Sequence, residues 1–174
     1  MPPTAPSHRR SAAFVGVVAA GLAFGAAAPA SASAAARPHS AGLCVTLNNL
    51  TEQTVKVSNL TGTPGHVGAG ADYSDVVRDA AGTQVGTATG HVQIIAQNPT
   101  NGHLIASYQE QGQIEGGSFT AGGVIDRTAA DEGQWVGYPA IGTGGDLSGR
   151  VGVRLWKIVN PAAATVALNM VLCG

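Results

Sequence analysis

From Leu43 onward the apolar positions recur at every second residue in short runs, and no segment keeps helical spacing for three turns. Cys44-Val45-Thr46-Leu47 opens the pattern. Gln53 to Leu60 then sets Val55 and Val57 on one face against Thr54, Lys56 and Ser58 on the other, the alternation of a half-buried strand. Asp72 to Arg78 follows, with Tyr73, Asp75 and Val77 sharing a face. Gln84 to Ala96 is a long strand bent at Gly86 and Gly90. His103 to Gln109 and Gln113 to Thr120 form a hairpin turning near Gln111-Gly112, and Val124–Thr128, Trp135–Ile141, Val151–Val159 and Thr165–Cys173 complete the series. The runs are separated by turn chemistry: a glycine-rich loop from Thr61 to Ala71 containing Pro64, then Asp79-Ala80-Ala81-Gly82, Asn98-Pro99-Thr100-Asn101-Gly102 and the polar stretch from Ala129 to Gly133. Short strands at this spacing predict an all-β antiparallel sandwich or barrel. A small closed barrel of about eight strands is preferred, because closure makes the N- and C-terminal strands neighbours and leaves no free edge.

The first part of the chain follows a different pattern. Met1 to Ser11 carries Arg9 and Arg10 and no acid, Ala12 to Ala28 is small and apolar, and Ala30-Ser31-Ala32 and Ala32-Ser33-Ala34 are small-x-small cleavage sites. This predicts a secretory signal peptide over 1–34, a disordered leader over 35–42, a barrel domain over 43–174 and an extracellular location. A membrane anchor is the other reading, for which the apolar run is short. The arginine pair matches one element of twin-arginine export, and Ser11-Ala12-Ala13 after it adds nothing to that match, so the export route stays open. In an exported chain the two cysteines, Cys44 and Cys173, read as a disulfide. That bond joins the first strand to the last.

With 44% apolar residues the chain has the material for a core, and a formal net charge of −1 excludes a nucleic-acid binder working by counterion release. The histidines are scattered and no Cys-x-x-Cys pair occurs, so neither a metal site nor a cofactor is expected. A Gly-x-Ser-x-Gly elbow is lacking, and Gly142 to Gly149 lacks the lysine and helix of a phosphate loop. His91, alternating with Gln93, is expected to face solvent. Asn49-Leu50-Thr51 and Asn59-Leu60-Thr61 match the glycosylation pattern. Among the acids, Glu110 and Glu115 are expected to be solvated beside the Gly112 turn, and Asp131 and Glu132 in a loop. Asp75 can point inward with Tyr73 and Val77 or outward; the pattern leaves both open.

Several separated segments resemble the allene oxide cyclase barrel-like family, relatives of the dirigent proteins. They are Gly62-Thr63-Pro64-Gly65, Tyr73-Ser74-Asp75-Val76-Val77-Arg78-Asp79, the opening from Val85-Gly86 to Gly90, Gly112-Gln113-Ile114, and Gly144-Gly145-Asp146-Leu147-Ser148-Gly149-Arg150-Val151-Gly152. In the last, Leu147 stands where the family's glycine signature has an aromatic residue. The resemblance implies an eight-stranded barrel with an apolar cavity, often assembled as a trimer. In the plant cyclases a strand-borne Glu and Asn act on an epoxide, while a Ser-Pro pair and a further Asn hold a water. Carried over, the Ser-Pro pair falls on Thr63 and Pro64, the second Asn on Asp75, the Glu and first Asn on Val55 and Val57, and a family cysteine near Val92.

Valine in place of a cavity carboxylate removes the charge that would stabilise a polarised epoxide. The expected pocket is therefore oily, lined by Val55, Val57, Thr63, Pro64, Tyr73, Val77 and Val92, with Asp75 as its one candidate catalytic group. Three readings follow. The first is a secreted barrel that carries a small apolar molecule, or guides a reactive one by shape. The second is an isomerase or cyclase acting on an apolar epoxide or polyene. The third is a cell-surface interaction module without a ligand. Apolar pairs on both strand faces, Ile94 with Ile95 and Val124 with Ile125, suggest a homo-oligomer. No membrane contact is expected after cleavage of the leader.

Overall fold

A computed structural model describes residues 43–174. The expected signal peptide and leader fall outside the described residues. Eight strands, β1 (Cys44–Thr61), β2 (Gly70–Arg78), β3 (Gln84–Gln97), β4 (Leu104–Ile114), β5 (Gly117–Asp126), β6 (Val136–Gly145), β7 (Val151–Asn160) and β8 (Thr165–Cys173), pair antiparallel in chain order. β8 then pairs with β1, so the sheet closes into a barrel. Cys44 lies opposite Cys173 across that seam, and the two form a disulfide. A short helix, α1 (Arg127–Asp131), stands between β5 and β6, where the sequence pattern suggests a polar loop. Asp126 caps it by accepting from the Ala129 N–H at 2.9 Å.

Irregularities in β1 decide which side chains face inward. Asn49 has a φ of 57°, a conformation that asparagine tolerates better than most residues, and the ladder with β8 shifts register between Leu47 and Leu50. Both leucines consequently reach the interior. A second shift, in the ladder with β2, lies between Thr54 and Lys56. It breaks the alternation that groups Val55 with Val57: Val55, 59% exposed, lies off the cavity, whereas Thr54 and Val57 line it, Val57 while still 53% exposed.

The interior has two halves. One is packed solid by Val77, Ala88, Ile114, Phe119, Met170 and Leu172. Leu147 belongs to this plug, lying so close to Gly117 and Gly142 that a Cβ at either glycine would collide with it. The glycine run that superficially matches a phosphate loop is thus the seat of a core leucine. The other half, lined by β1, β2, β3, β4, β6, β7, β8 and α1, holds a cavity of about 300 Å³ that opens to solvent.

Candidate functional site

A layer of ionisable side chains lies between the plug and the cavity. Arg154 on β7 is fully buried. Its Nη2 donates to Glu52 of β1, its Nε lies 2.9 Å from Glu110 Oε1 of β4, and its Nη1 donates to the Tyr138 hydroxyl of β6 at 3.0 Å. Glu110 Oε2 accepts from the hydroxyls of Tyr73 and Tyr138, each at 3.0 Å. Gly90 makes the first of these bonds sterically feasible, since a Cβ there would sit 2.4 Å from the Tyr73 hydroxyl oxygen. Burial disfavours the charge on Arg154, but Glu110 and Glu52 outweigh it and hold the guanidinium charged well above its usual range. Burial lifts the Glu110 carboxyl, against the pull of Arg154. Desolvation likewise raises the phenols of Tyr73, Tyr108 and Tyr138, so they remain neutral, Tyr73 and Tyr138 donating to Glu110 and Tyr108 accepting from Arg127.

Asp75, on β2, is 7% exposed and lines the cavity. Burial first and the charge of Glu52 second push its carboxyl up to about 7, with Thr54 and Arg154 pulling the other way. Apart from the Arg154 Nε–Glu110 Oε1 ion pair, three buried atoms on this wall have no hydrogen-bond partner among the described residues: Glu52 Oε1, Asp75 Oδ1 and Trp156 Nε1. Above the layer stand the aromatic residues. Tyr108 stacks on Tyr138 with ring centres 5.8 Å apart and meets Trp156 edge-on at 5.5 Å. Arg127 of α1 donates to the Tyr108 hydroxyl at 2.6 Å and pairs with Asp131 at 2.8 Å, so the helix contributes a polar border to the cavity. Val57, Val92, Ile158 and Val166 supply its apolar wall.

The structure brings Asp75, Val57, Tyr73 and Val92 together around this cavity. It does not bring Val55, Thr63, Pro64 or Val77 there. Val55 lies off the cavity at the β1 bulge. Thr63 and Pro64 are exposed in the turn after β1, whose chain folds back through Gly68 N–H onto the Ile94 carbonyl. Val77 is buried one layer down, in the plug. The expectation of an oily chamber with one acid is also corrected. β1 does supply an inward carboxylate, Glu52, three residues before the position to which the family glutamate carries over. Glu110 is 6% exposed within β4 and not solvated at a turn, because the β4–β5 turn falls at Glu115-Gly116, not at Gly112. The alternation of Arg154 and Trp156 on β7 was the available signal for the missed residues, but Val153 and Leu155 form an equally apolar opposite face.

The Allene oxide cyclase barrel like domain matches residues 50–172. The chain belongs to that family. Among solved structures of this barrel family it is similar to AbnU, an exo-specific intermolecular Diels-Alderase, at 26% identity and a TM-score of 0.68, over 76% of this chain and 98% of that one. It is similar to the Diels-Alderase AbmU from Streptomyces koyangensis at 28% identity and a TM-score of 0.64, over 74% of this chain and 63% of that one. A third similar structure is described as a nonspecific heme-binding cyclase that catalyses a 4 + 2 cycloaddition during neoabyssomicin biosynthesis, at 26% identity and a TM-score of 0.65, with the same coverages. These neighbours, with the cavity, support a ligand-binding or cyclase-type role for the barrel. Among the described residues no His, Cys or Met lines the cavity, and the hydroxyls of its three tyrosines are engaged with Glu110 or Arg127.

Proposed function

We propose that this barrel is a cyclase that folds an apolar polyene inside its cavity and closes a ring by cycloaddition. The observation that carries the reading is Trp156 Nε1, a buried hydrogen-bond donor without a protein partner on the wall of a largely apolar chamber. A cycloaddition joins a diene to an alkene through two new carbon–carbon bonds while three π bonds become one. It needs no proton, oxidant or leaving group. Its barrier comes from bringing two ends of a flexible chain together and from the electron demand of the alkene. Walls that impose a folded conformer lower the first contribution. A preorganised N–H directed at a carbonyl conjugated to the alkene lowers the second, more strongly in a dry cavity than in water.

The test uses the full chain and a linear polyene ending in an enone, followed by loss of diene absorbance. Trp156→Phe keeps an aromatic ring and removes the N–H. We expect affinity for the polyene to stay within about threefold, while the cyclisation rate falls by roughly 10²–10³, the usual cost of one such donor. An unchanged rate would remove Trp156 from the reaction.

A second reading, a carrier of apolar molecules, is favoured by the valine and isoleucine wall, and it predicts saturable binding with no turnover. The disulfide supports export to an oxidising compartment; sequencing the N-terminus of the secreted protein tests cleavage near residue 34. Exposed Val124, Ile141 and Val151 on the outer wall support self-association, which sedimentation measures.

A further inference from the structure

The layer beneath the cavity has an imbalance of charge-bearing groups. Three carboxyl groups, Glu52, Asp75 and Glu110, share a single guanidinium, that of Arg154. That guanidinium is already directed to Glu52, Glu110 and Tyr138, leaving Asp75 without a cation of its own. Thr54 lies opposite Asp75 in the β1–β2 ladder and Glu52 opposite Val77, so the two acids are diagonal neighbours on one inner face. Each keeps one oxygen, Glu52 Oε1 and Asp75 Oδ1, buried and unpartnered. The other cation on the wall, Arg127, is occupied by Asp131 and Tyr108.

We infer that Glu52 and Asp75 form an ammonium-binding subsite, and that the molecule taken into the cavity carries a protonated amine at the end that reaches this layer. A primary ammonium supplies the positive charge and the several donors that two free carboxylate oxygens require. An acid or a neutral chain supplies neither. The inference rests on the cavity being the substrate site, and it concerns binding rather than turnover.

Glu52 and Thr54 on β1 and Arg154 on β7 act on Asp75 directly, and the other titratable groups on the cavity wall are Tyr73 on β2, Tyr108 and Glu110 on β4, Arg127 and Asp131 on α1 and Tyr138 on β6. Arg154 stays charged across the neutral range because Glu110 and Glu52 outweigh its burial, and burial keeps the phenols neutral. An arriving cation lowers the Asp75 carboxyl from about 7 and therefore expels protons near pH 7.

Octylamine, octanol and octanoate are titrated calorimetrically into the full chain, in two buffers of different ionisation enthalpy. We expect octylamine to bind at least tenfold more tightly than octanoate, with release of a fraction of a proton at pH 7. Asp75→Asn should abolish the amine's advantage over octanol while octanol binding changes by less than about threefold. Octanoate binding as well as octylamine, or no binding by any of the three, overturns the subsite, and the comparison on the unmodified protein does so even if the variant fails to fold. The cyclase reading is tested separately by the Trp156→Phe rate, so a neutral polyene that cyclises with no preference for amines sinks this inference alone.

Discussion

Asp75 makes the cost of this cavity measurable at a single residue. Its carboxyl, at about 7 in the folded chain against an ordinary 3.8, holds its proton more tightly when folded than when unfolded. Between roughly pH 4 and pH 7 the folded state then binds the extra proton, so Asp75's contribution to stability is full below pH 4 and is lost as pH rises through 7. Asp75→Asn should flatten that fall and leave the variant the more stable protein at pH 8, by on the order of 2–4 kcal/mol. Urea unfolding at pH 4 and pH 8 checks it; a variant less stable than the parent at pH 8 contradicts the assigned environment. Trp156 and Glu52 Oε1 carry the same signature of polar groups kept unsatisfied inside the barrel, which structural cores seldom tolerate.

Among the elements, α1 and β1 show what sequence could and could not reveal. Period-two alternation and glycine-bounded turns are strong local signals, and strands near β2, β3, β7 and β8 follow from them directly. The bulges of β1 are not local signals. Val55 and Val57 look equivalent in sequence and are both exposed, and the register shift against β2 alone puts Val57 on the cavity and leaves Val55 off it. The charged layer was hidden for a related reason: Glu52, Glu110 and Arg154 are each unremarkable on their own strand, and only closure of the sheet brings residues of β1, β4 and β7 into contact. Asp75 was legible as far as its face, shared with Tyr73 and Val77. For α1, His103 Nδ1 lies 2.7 Å from the capping Asp126. Asp126→Ala should cost about 1 kcal/mol of stability through the lost cap. It should also speed ligand release, because Arg127 at the cavity border is no longer fixed; dissociation measured by stopped flow checks this, and an unchanged rate detaches the helix from access. Gly90→Ala should displace the Tyr73 hydroxyl from Glu110 and lower ligand affinity at least tenfold, whereas a variant that binds like the parent contradicts the role given to the glycine.

At the scale of the whole molecule the sheet of the barrel is closed by its ladder and by one covalent bond. The Cys44–Cys173 link spans 129 residues of sequence, and constraining so long a loop stabilises by about 4–5 kcal/mol in the chain-entropy account. Reduction should lower the unfolding free energy by an amount of that order in denaturant titrations, and a shift below about 1 kcal/mol contradicts a seam that depends on it. The central claim, that a polyene enters the cavity and cyclises there, has a built-in reporter. The chain has two tryptophans, one exposed (Trp135, 45%) and one on the cavity wall (Trp156, 4%), so Trp135→Phe leaves a single emitter in the chamber. Stopped-flow emission after mixing with the enone-bearing polyene should show rapid quenching by the conjugated chain and then recovery as cycloaddition destroys the conjugation. A trace that never quenches, or that quenches and stays quenched, contradicts the account.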